Sequence, residues 1–281
     1  MILNSENTVI APDWKTILHE HNLADVAAIY RCNTGDVMTQ SATTEVRRIR
    51  VGEGASARTV FIKKYWSTRA GQLWSGMFRG LLFGTSKARR EFNNLTLLRA
   101  RGLDAPAGVA FGEERRAGFV VRSFLISEGV ADPRPLDLLI RDWLPQQPAA
   151  EQRRWRAELI QRLADYTRRL HAQRFVHHDY FWRNIILTST SLEHFALIDA
   201  HKGRVWPAWA EQRNRAKDLA TLDAPAPAFF RRSERMRFLL AYLGNRHLAV
   251  ADKKFLRRVL KIAGPMRERQ LRRVRDAGQR A

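Results

Sequence analysis

The chain has 281 residues, enough for two lobes with separate cores, and its hydrophobic content of 45% is that of an ordinary globular protein. Its charge is unusual, because 49 lysines and arginines against 28 acidic residues give a formal net charge of +21. This balance predicts a polyanionic partner: nucleic acid, an anionic membrane surface or a polyanionic substrate. The single cysteine, Cys32, excludes an internal disulfide framework and fits a reducing compartment.

The chain shows no targeting or spanning segment. Its first residues have no basic stretch before an apolar core, so they predict no secretory signal. No apolar run approaches the roughly 20 residues needed to cross a bilayer. The sequence therefore predicts a cytoplasmic protein with at most peripheral membrane contact.

Two strands are predicted early in the chain. Residues 45–51 and 59–63 alternate between apolar and polar side chains, and Gly52-Glu53-Gly54-Ala55-Ser56 between them favours a hairpin turn. Glycines spaced as Gly-x-Gly near a lysine are also typical of a phosphate-binding loop. In a kinase-like N-lobe, however, that loop lies one hairpin earlier, here at about residues 33–43. That segment contains only Gly35, our candidate for covering nucleotide phosphates.

A lysine ends the second of these strands. Lys63 can reach the α and β phosphates of a nucleotide, with Glu91, on a helix predicted over residues 86–101, as its ion-pair partner. The alternative is a solvent-facing strand lysine. Lys64 points to the opposite face, since strand side chains alternate. We select Lys63 because it shares a face with Phe61.

Two more strands are predicted at residues 108–111 and 118–126. Glu128 follows the second strand, so the backbone of residues 127–129 suits a hinge that hydrogen-bonds an adenine. For the Glu128 side chain, an ordinary loop position is the alternative. A long amphipathic helix is predicted over residues 149–172.

The most informative stretch is His-His-Asp-Tyr-Phe-Trp-Arg-Asn at residues 177–184, followed by Leu-Ile-Asp ending at Asp199. It has the spacing of a kinase-type catalytic loop and its metal-binding aspartate. Asp179 is the predicted base that accepts the proton of an attacking hydroxyl, while Asn184 and Asp199 are predicted to hold Mg²⁺ against the phosphates of ATP. Each residue alone would be interpreted as a cap or turn residue, and the combination favours phosphoryl transfer.

Three neighbours of this loop have predicted supporting roles. His177 is expected to tie the loop to the backbone near Asp199, with direct catalysis as the alternative. His178 stands where many protein kinases carry arginine, so control by a phosphorylated activation loop has no obvious receiver. Asp218 is expected near a helix start, where it either braces the loop or acts as a helix-terminal charge.

Two regions combine features of membrane-binding surfaces. Residues 66–83 mix tryptophan, phenylalanine and leucine with arginine, which suits a membrane interface or packing on the first lobe. The C-terminal region is rich in arginine and lysine from Arg231 to Arg280, which suits either solvated helix faces or attraction to anionic lipids and acidic sugars. The chain contains no recognisable nucleic-acid motif, so we expect no nucleic-acid partner.

Over about residues 30–220 the chain resembles the lipopolysaccharide core kinases, the Kdo and heptose kinases of the protein-kinase-like superfamily. The matching segments are residues 60–65, 90–92, 102–106, 123–128, 177–187, 197–199 and 217–220.

The resemblance implies an α+β, protein-kinase-like bilobal fold. It has an antiparallel-sheet N-lobe with one main helix over residues 25–128, a mostly helical C-lobe over 129–281, and an N-terminal extension at 1–24. It also implies ATP and Mg²⁺ as cofactors and a lipopolysaccharide core or lipid-A-linked sugar as acceptor. The expected location is the anionic inner-membrane surface, on its cytoplasmic face. It leaves any protein partner unknown.

Two departures from protein kinases matter. No glycine stands two residues after Asp199, and no Ala-Pro-Glu segment follows, so peptide docking is disfavoured. The alternatives are a small-molecule phosphotransferase of the aminoglycoside or choline type, against which the basic surface argues, and an inactive kinase-like binding protein, against which the intact polar set argues.

Overall fold

The computed structural model describes residues 5–54, 57–66, 84–188 and 190–278, with side chains through residue 269. The chain forms two compact units. The first comprises Met1–Val130 with Ala200–Lys202, and the second comprises Ala131–Asp199 with Gly203–Ala281. Of the predicted aromatic insertion at residues 66–83, only Trp66 belongs to the described residues.

The first unit is built on a six-stranded sheet in the order β1-β5-β6-β4-β3-β2, with antiparallel pairing between neighbours. Its strands are β1 Ser5–Ile10, β2 Asp36–Gln40, β3 Thr44–Val51, β4 Arg58–Trp66, β5 Gly108–Arg116 and β6 Phe119–Glu128. Its helices are α1 Lys15–Glu20, α2 Val26–Arg31 and α3 Lys87–Ala100. The strands predicted at residues 45–51, 59–63, 108–111 and 118–126 and the helix at 86–101 are confirmed.

The alternation of β4 explains how the sheet acquires a core. Val60 and Ile62 are fully buried and pack in one cluster with Leu18 of α1 and with Val26 and Ile29 of α2. The segment predicted as an N-terminal extension thus contributes an edge strand and part of this core. Helix α3 packs against β5 and β6. It begins at the capping hydroxyl of Ser86, which accepts from the Arg89 N–H at 3.1 Å.

The second unit is mainly helical. Its helices are α4 Ala149–Ala172, α5 Ala208–Asp223, α6 Arg232–Leu243 and α7 Val250–Gly278, and short helical turns cover residues 136–146. Its strands are β7 Arg134–Pro135, β8 Phe175–Val176, β9 Ile185–Leu187, β10 Phe195–Leu197 and β11 Arg204–Val205. They form the ladders β10-β9-β7 and β11-β8. The helix predicted at 149–172 is confirmed.

Helices α4 to α7 share one core, in which Ala164, Leu219, Leu239 and Phe255 are buried together. Small residues on α5, such as Ala216 and Ala220, let neighbouring side chains approach its backbone. Among the described residues, no helix combines the length and the apolar character required to cross a bilayer.

Candidate active site

In the first unit, the predicted ion pair of Lys63 and Glu91 is present. Lys63 Nζ lies 2.6 Å from Glu91 Oε1, and the Glu91 side chain is only 1% exposed. The Tyr65 hydroxyl, two residues further along β4, donates to Glu91 Oε2 at 3.1 Å. Both carboxylate oxygens of Glu91 are therefore held by side chains of one strand, and this fixes where the Lys63 ammonium can lie. The sequence did not single out Tyr65.

Lys64 has a different environment, as the strand alternation predicts. Its side chain is 2% exposed, and its ammonium lies 2.7 Å from the Cys32 carbonyl oxygen and 2.9 Å from Glu45 Oε1. Burial raises the pKa of Glu45, but hydrogen bonds from Arg47 and Lys64 outweigh it and hold that pKa below its usual range. The buried contacts of Lys64 give it a structural role in the first unit.

The remaining predicted residues of the first unit lie at the ends of strands. Gly35 precedes β2 at φ +80°, and a Cβ there would lie 2.3 Å from the Arg48 carbonyl oxygen, so this site requires glycine. The β2–β3 turn itself is residues 41–43. Glu128 ends β6, with its N–H donating to the Ala107 carbonyl oxygen at 2.9 Å. The roles of Gly35 and Glu128 at a nucleotide stay predictions.

In the second unit, the carboxylate of Asp218 holds the predicted catalytic loop through two backbone hydrogen bonds. The His177 N–H donates to Asp218 Oδ2 at 2.7 Å and the His178 N–H donates to Oδ1 at 2.8 Å. Asp218 is fully buried. The bracing role is therefore confirmed. The expected place near a helix start is wrong, because the structure extends α5 upstream to Ala208 and leaves Asp218 in the second half of that helix.

A chain of hydrogen bonds joins the two ends of the predicted polar set. Asn184 Nδ2 donates to the Asp179 carbonyl oxygen at 2.8 Å, and the Ile198 N–H donates to the Asn184 carbonyl oxygen at 3.1 Å. His177 Nε2 lies 3.1 Å from the Ile198 carbonyl oxygen, which confirms the predicted tie to the backbone before Asp199. The second unit thus brings Asp179, Asn184 and Asp199 into one bonded segment.

The backbone at two of these positions is left-handed. His178 has φ +62° and Asp199 has φ +59°, values uncommon for residues other than glycine. Such conformations persist where the surroundings over-determine them, and they cluster at functional sites. Here the Asp218 carboxylate fixes the amide of His178, and the His177 ring fixes the carbonyl that precedes Asp199.

The two loop histidines are held as neutral rings. Because the partner of His177 Nε2 is a carbonyl, that nitrogen carries the proton, and the buried Nδ1 has no hydrogen-bond partner among the described residues. His178 Nε2 accepts from the Trp206 indole at 2.9 Å, so its proton lies on Nδ1. Burial lowers the pKa of both histidines, since desolvation penalises the charged ring.

A residue that the sequence did not single out extends this support. His171, in the last turn of α4, lies 3.3 Å from Asp218 Oδ2 through Nε2 and 2.9 Å from the Tyr242 hydroxyl through Nδ1. It connects α4 and α6 to the carboxylate that holds the loop. The sequence contained a signal for this role: His171 is a polar residue in the buried stripe of an amphipathic helix, and a buried polar group requires a hydrogen-bond partner.

These residue types are the ones that the predicted phosphoryl transfer requires. Asp179 is a carboxylate in the loop, and Asn184 and Asp199 offer amide and carboxylate oxygens, which are the ligands that Mg²⁺ prefers. The donor set therefore fits the predicted metal. For Lys63, in the first unit, the role of the cation beside nucleotide phosphates stays a prediction.

The chain is similar to several known proteins. Two proteins named lipopolysaccharide core heptose(I) kinase WaaP, from Escherichia coli and its strain K12, are 26% and 25% identical over 193 residues, covering 67% of this chain and 69% of each relative. A solved structure described as WaaP in complex with acyl carrier protein aligns with TM-score 0.63 at 20% identity, covering 94% of this chain and 98% of that one. That likeness confirms the predicted protein-kinase-like bilobal fold. A model of the lipopolysaccharide kinase (Kdo/WaaP) family matches residues 36–242, so the chain belongs to this family of phosphotransferases of the lipopolysaccharide core.

Proposed function

We propose that this chain transfers the γ-phosphoryl group of ATP to a hydroxyl of a Kdo or heptose sugar in the lipopolysaccharide inner core. The observation that carries the proposal is the loop of a family member: Asp218 holds the two amides that precede Asp179, and Asn184 holds the Asp179 carbonyl oxygen. The names of the curated relatives favour heptose over Kdo.

Each residue of the loop has one task. Asp179 orients the acceptor hydroxyl and accepts its proton as the oxygen attacks the γ-phosphorus and ADP leaves. Asn184 and Asp199 would hold Mg²⁺, which would supply positive charge beside the phosphates. Because the Asn184 amide nitrogen is bonded to the Asp179 carbonyl, its Oδ1 is the atom for the metal.

The nucleotide is bound by residues of the first unit. Lys63 contacts its phosphates, and the carboxylate of Glu91, shared with Tyr65, holds that lysine in place. Gly35 immediately precedes β2, the strand that leads to the phosphate-covering turn, and the chain around Glu128 meets the adenine.

The enzyme works at the cytoplasmic face of the inner membrane as a peripheral protein. Helix α7 supports this location, because it buries Phe255, Val259 and Ala263 on one side and exposes a basic opposite side. That side carries Lys253, Lys254, Arg257, Arg258 and Lys261. Cations near an anionic surface contribute about 1 kcal/mol each to binding.

The test is phosphate transfer to lipopolysaccharide truncated to its inner core. Purified wild-type protein with ATP and Mg²⁺ should add one phosphate to a core sugar, located by mass spectrometry, and Asp179→Asn should abolish the transfer. Kanamycin and choline serve as alternative acceptors. If the protein phosphorylates either compound and adds no phosphate to the core, the proposal is refuted in favour of a small-molecule phosphotransferase.

We further propose that the chain binds an acyl carrier protein, as the solved relative does. The supporting observation is a cavity of about 370 Å³ inside the second unit, whose walls are mostly apolar. Its lining includes Leu159, Leu163, Leu219, Phe238, Leu239 and Leu256. A cavity with such walls suits an acyl group.

Leu260 allows a test, since it lines this cavity and is 40% exposed, so a charge is tolerated there without unfolding. We expect Leu260→Glu to weaken capture of acylated carrier protein. Val250→Glu is the matched control, because Val250 is 81% exposed on the same helix and lies away from the cavity lining. Equal binding by the two variants would show that the cavity does not bind the acylated carrier protein.

A further inference from the structure

Helix α5 exposes a tryptophan and two cationic side chains along one face. Trp209 is 87% exposed, and Arg213 and Lys217 follow it at four-residue intervals, so the three side chains lie along one side of the helix. Val205, four residues before Trp209 on β11, is also exposed, at 38%. We call Val205, Trp209, Arg213 and Lys217 the docking face.

The docking face is apolar at one end and cationic at the other. The carboxylate nearest in sequence, Glu211, is engaged by Arg215 at 3.3 Å. The opposite side of α5 is buried through Asp218 and Leu222, so the helix cannot turn this tryptophan inward. A tryptophan followed by arginine and lysine is the composition of a helix at a bilayer interface, where the indole lies at the level of the headgroups.

The docking face is attached directly to the catalytic loop. Strand β11 pairs with β8, which places Val205 opposite Phe175, two residues before His177. The Trp206 indole is bonded to His178, and Lys217 precedes Asp218, whose carboxylate holds the loop. A surface bound at this face is therefore held beside the residues proposed to act on the acceptor.

We propose that the docking face binds the anionic lipid surface in which the acceptor is embedded. The inference rests on the proposed function for the identity of the acceptor and adds the part of the chain that meets its membrane. Charge complementarity selects a lipid surface, because two cations attract anionic headgroups while the exposed indole gains from the interface.

The test is sedimentation of the full chain with vesicles of phosphatidylcholine, with and without phosphatidylglycerol. We expect Arg213→Gln/Lys217→Gln to bind anionic vesicles about 30-fold more weakly. Trp209→Ala should weaken binding to both vesicle types. The matched control is Arg153→Gln/Arg154→Gln, which removes the same charge from an exposed part of α4. This control should bind nearly as wild type does.

The possible outcomes distinguish failure of the docking face from failure of the proposed acceptor. If the α4 control loses as much binding as the α5 variant, attraction is spread over the whole basic surface and the docking face is refuted. Unchanged binding by the α5 and Trp209 variants refutes it too. If binding depends on the docking face but wild-type protein adds no phosphate to core lipopolysaccharide, the membrane contact stands and the proposed acceptor fails.

Discussion

Replacing Asp218 by asparagine should disable the catalytic loop without touching Asp179. The wild-type carboxylate accepts two short hydrogen bonds from the His177 and His178 amides while fully buried. Asparagine keeps one oxygen and turns an NH₂ group toward the other amide. One charge-assisted bond is lost and one buried N–H is left without an acceptor, so we expect about 4 kcal/mol of lost stability.

The same change should lower kcat by about 100-fold, since a shift of about 1 Å in a catalytic group has an effect of this size. The assay pairs urea unfolding with phosphate transfer to core lipopolysaccharide at saturating ATP. Asp165→Asn is the control, because its carboxylate is 48% exposed and paired with arginines on the surface of α4. Such surface pairs contribute about 0–1 kcal/mol, so its stability and kcat should be close to wild type.

One result would refute the bracing argument. If Asp218→Asn loses stability as expected but retains wild-type kcat at a temperature where it is folded, the carboxylate supports the core only. The position of Asp179 would then be fixed by other contacts, such as the bond from Asn184 to its carbonyl oxygen.

Three further outcomes are expected. Tyr65→Phe, which removes one hydrogen bond to Glu91, should lower kcat/KM for ATP about fivefold with little loss of stability, as steady-state kinetics and thermal unfolding can check. Lys64→Met should cost about 1–3 kcal/mol in urea unfolding, because Glu45 and the Cys32 carbonyl oxygen lose a buried donor while Arg47 still pairs with Glu45, whereas ATP binding by the folded protein should persist. Since burial lowers the pKa of His177 and His178 below the ordinary 6.5, their neutral forms contribute stability above about pH 6.5 that is lost as the pH falls, and His178→Gln should flatten this decline in urea titrations. A decline of unchanged slope in that variant would assign the acid sensitivity to other groups.

The sequence predicts those parts of the molecule in which local pattern and tertiary packing agree. The alternation in β4 predicts the opposite directions of Lys63 and Lys64, and the spacing of Asp179 and Asn184 predicts that one loop carries both. Each of these relations extends over a few residues of one element, and periodicity reports such relations directly.

Contacts between distant segments of the chain cannot be predicted from local sequence patterns. β1 pairs with β5 across about a hundred residues, and no local signal names the partner. Tyr65 and His171 matter because of the residues they meet, Glu91 and Asp218, which lie on other elements. Asp218 itself was expected near a helix start because the sequence gives no clear beginning for α5, whose first residue follows a proline rather than a capping side chain.

Helix α5 carries two features described separately above, the exposed Trp209 and the buried Asp218. A helix rises 1.5 Å per residue, so these two positions are about 14 Å apart along a rigid rod. If the indole marks the headgroup level, the rod sets an upper limit on how far from the bilayer the catalytic loop can work. Because the docking face runs along one side of this helix and Asp218 lies on the other, the loop would stay within about one helix diameter, roughly 10–12 Å, of the bilayer and would reach only sugars close to the lipid.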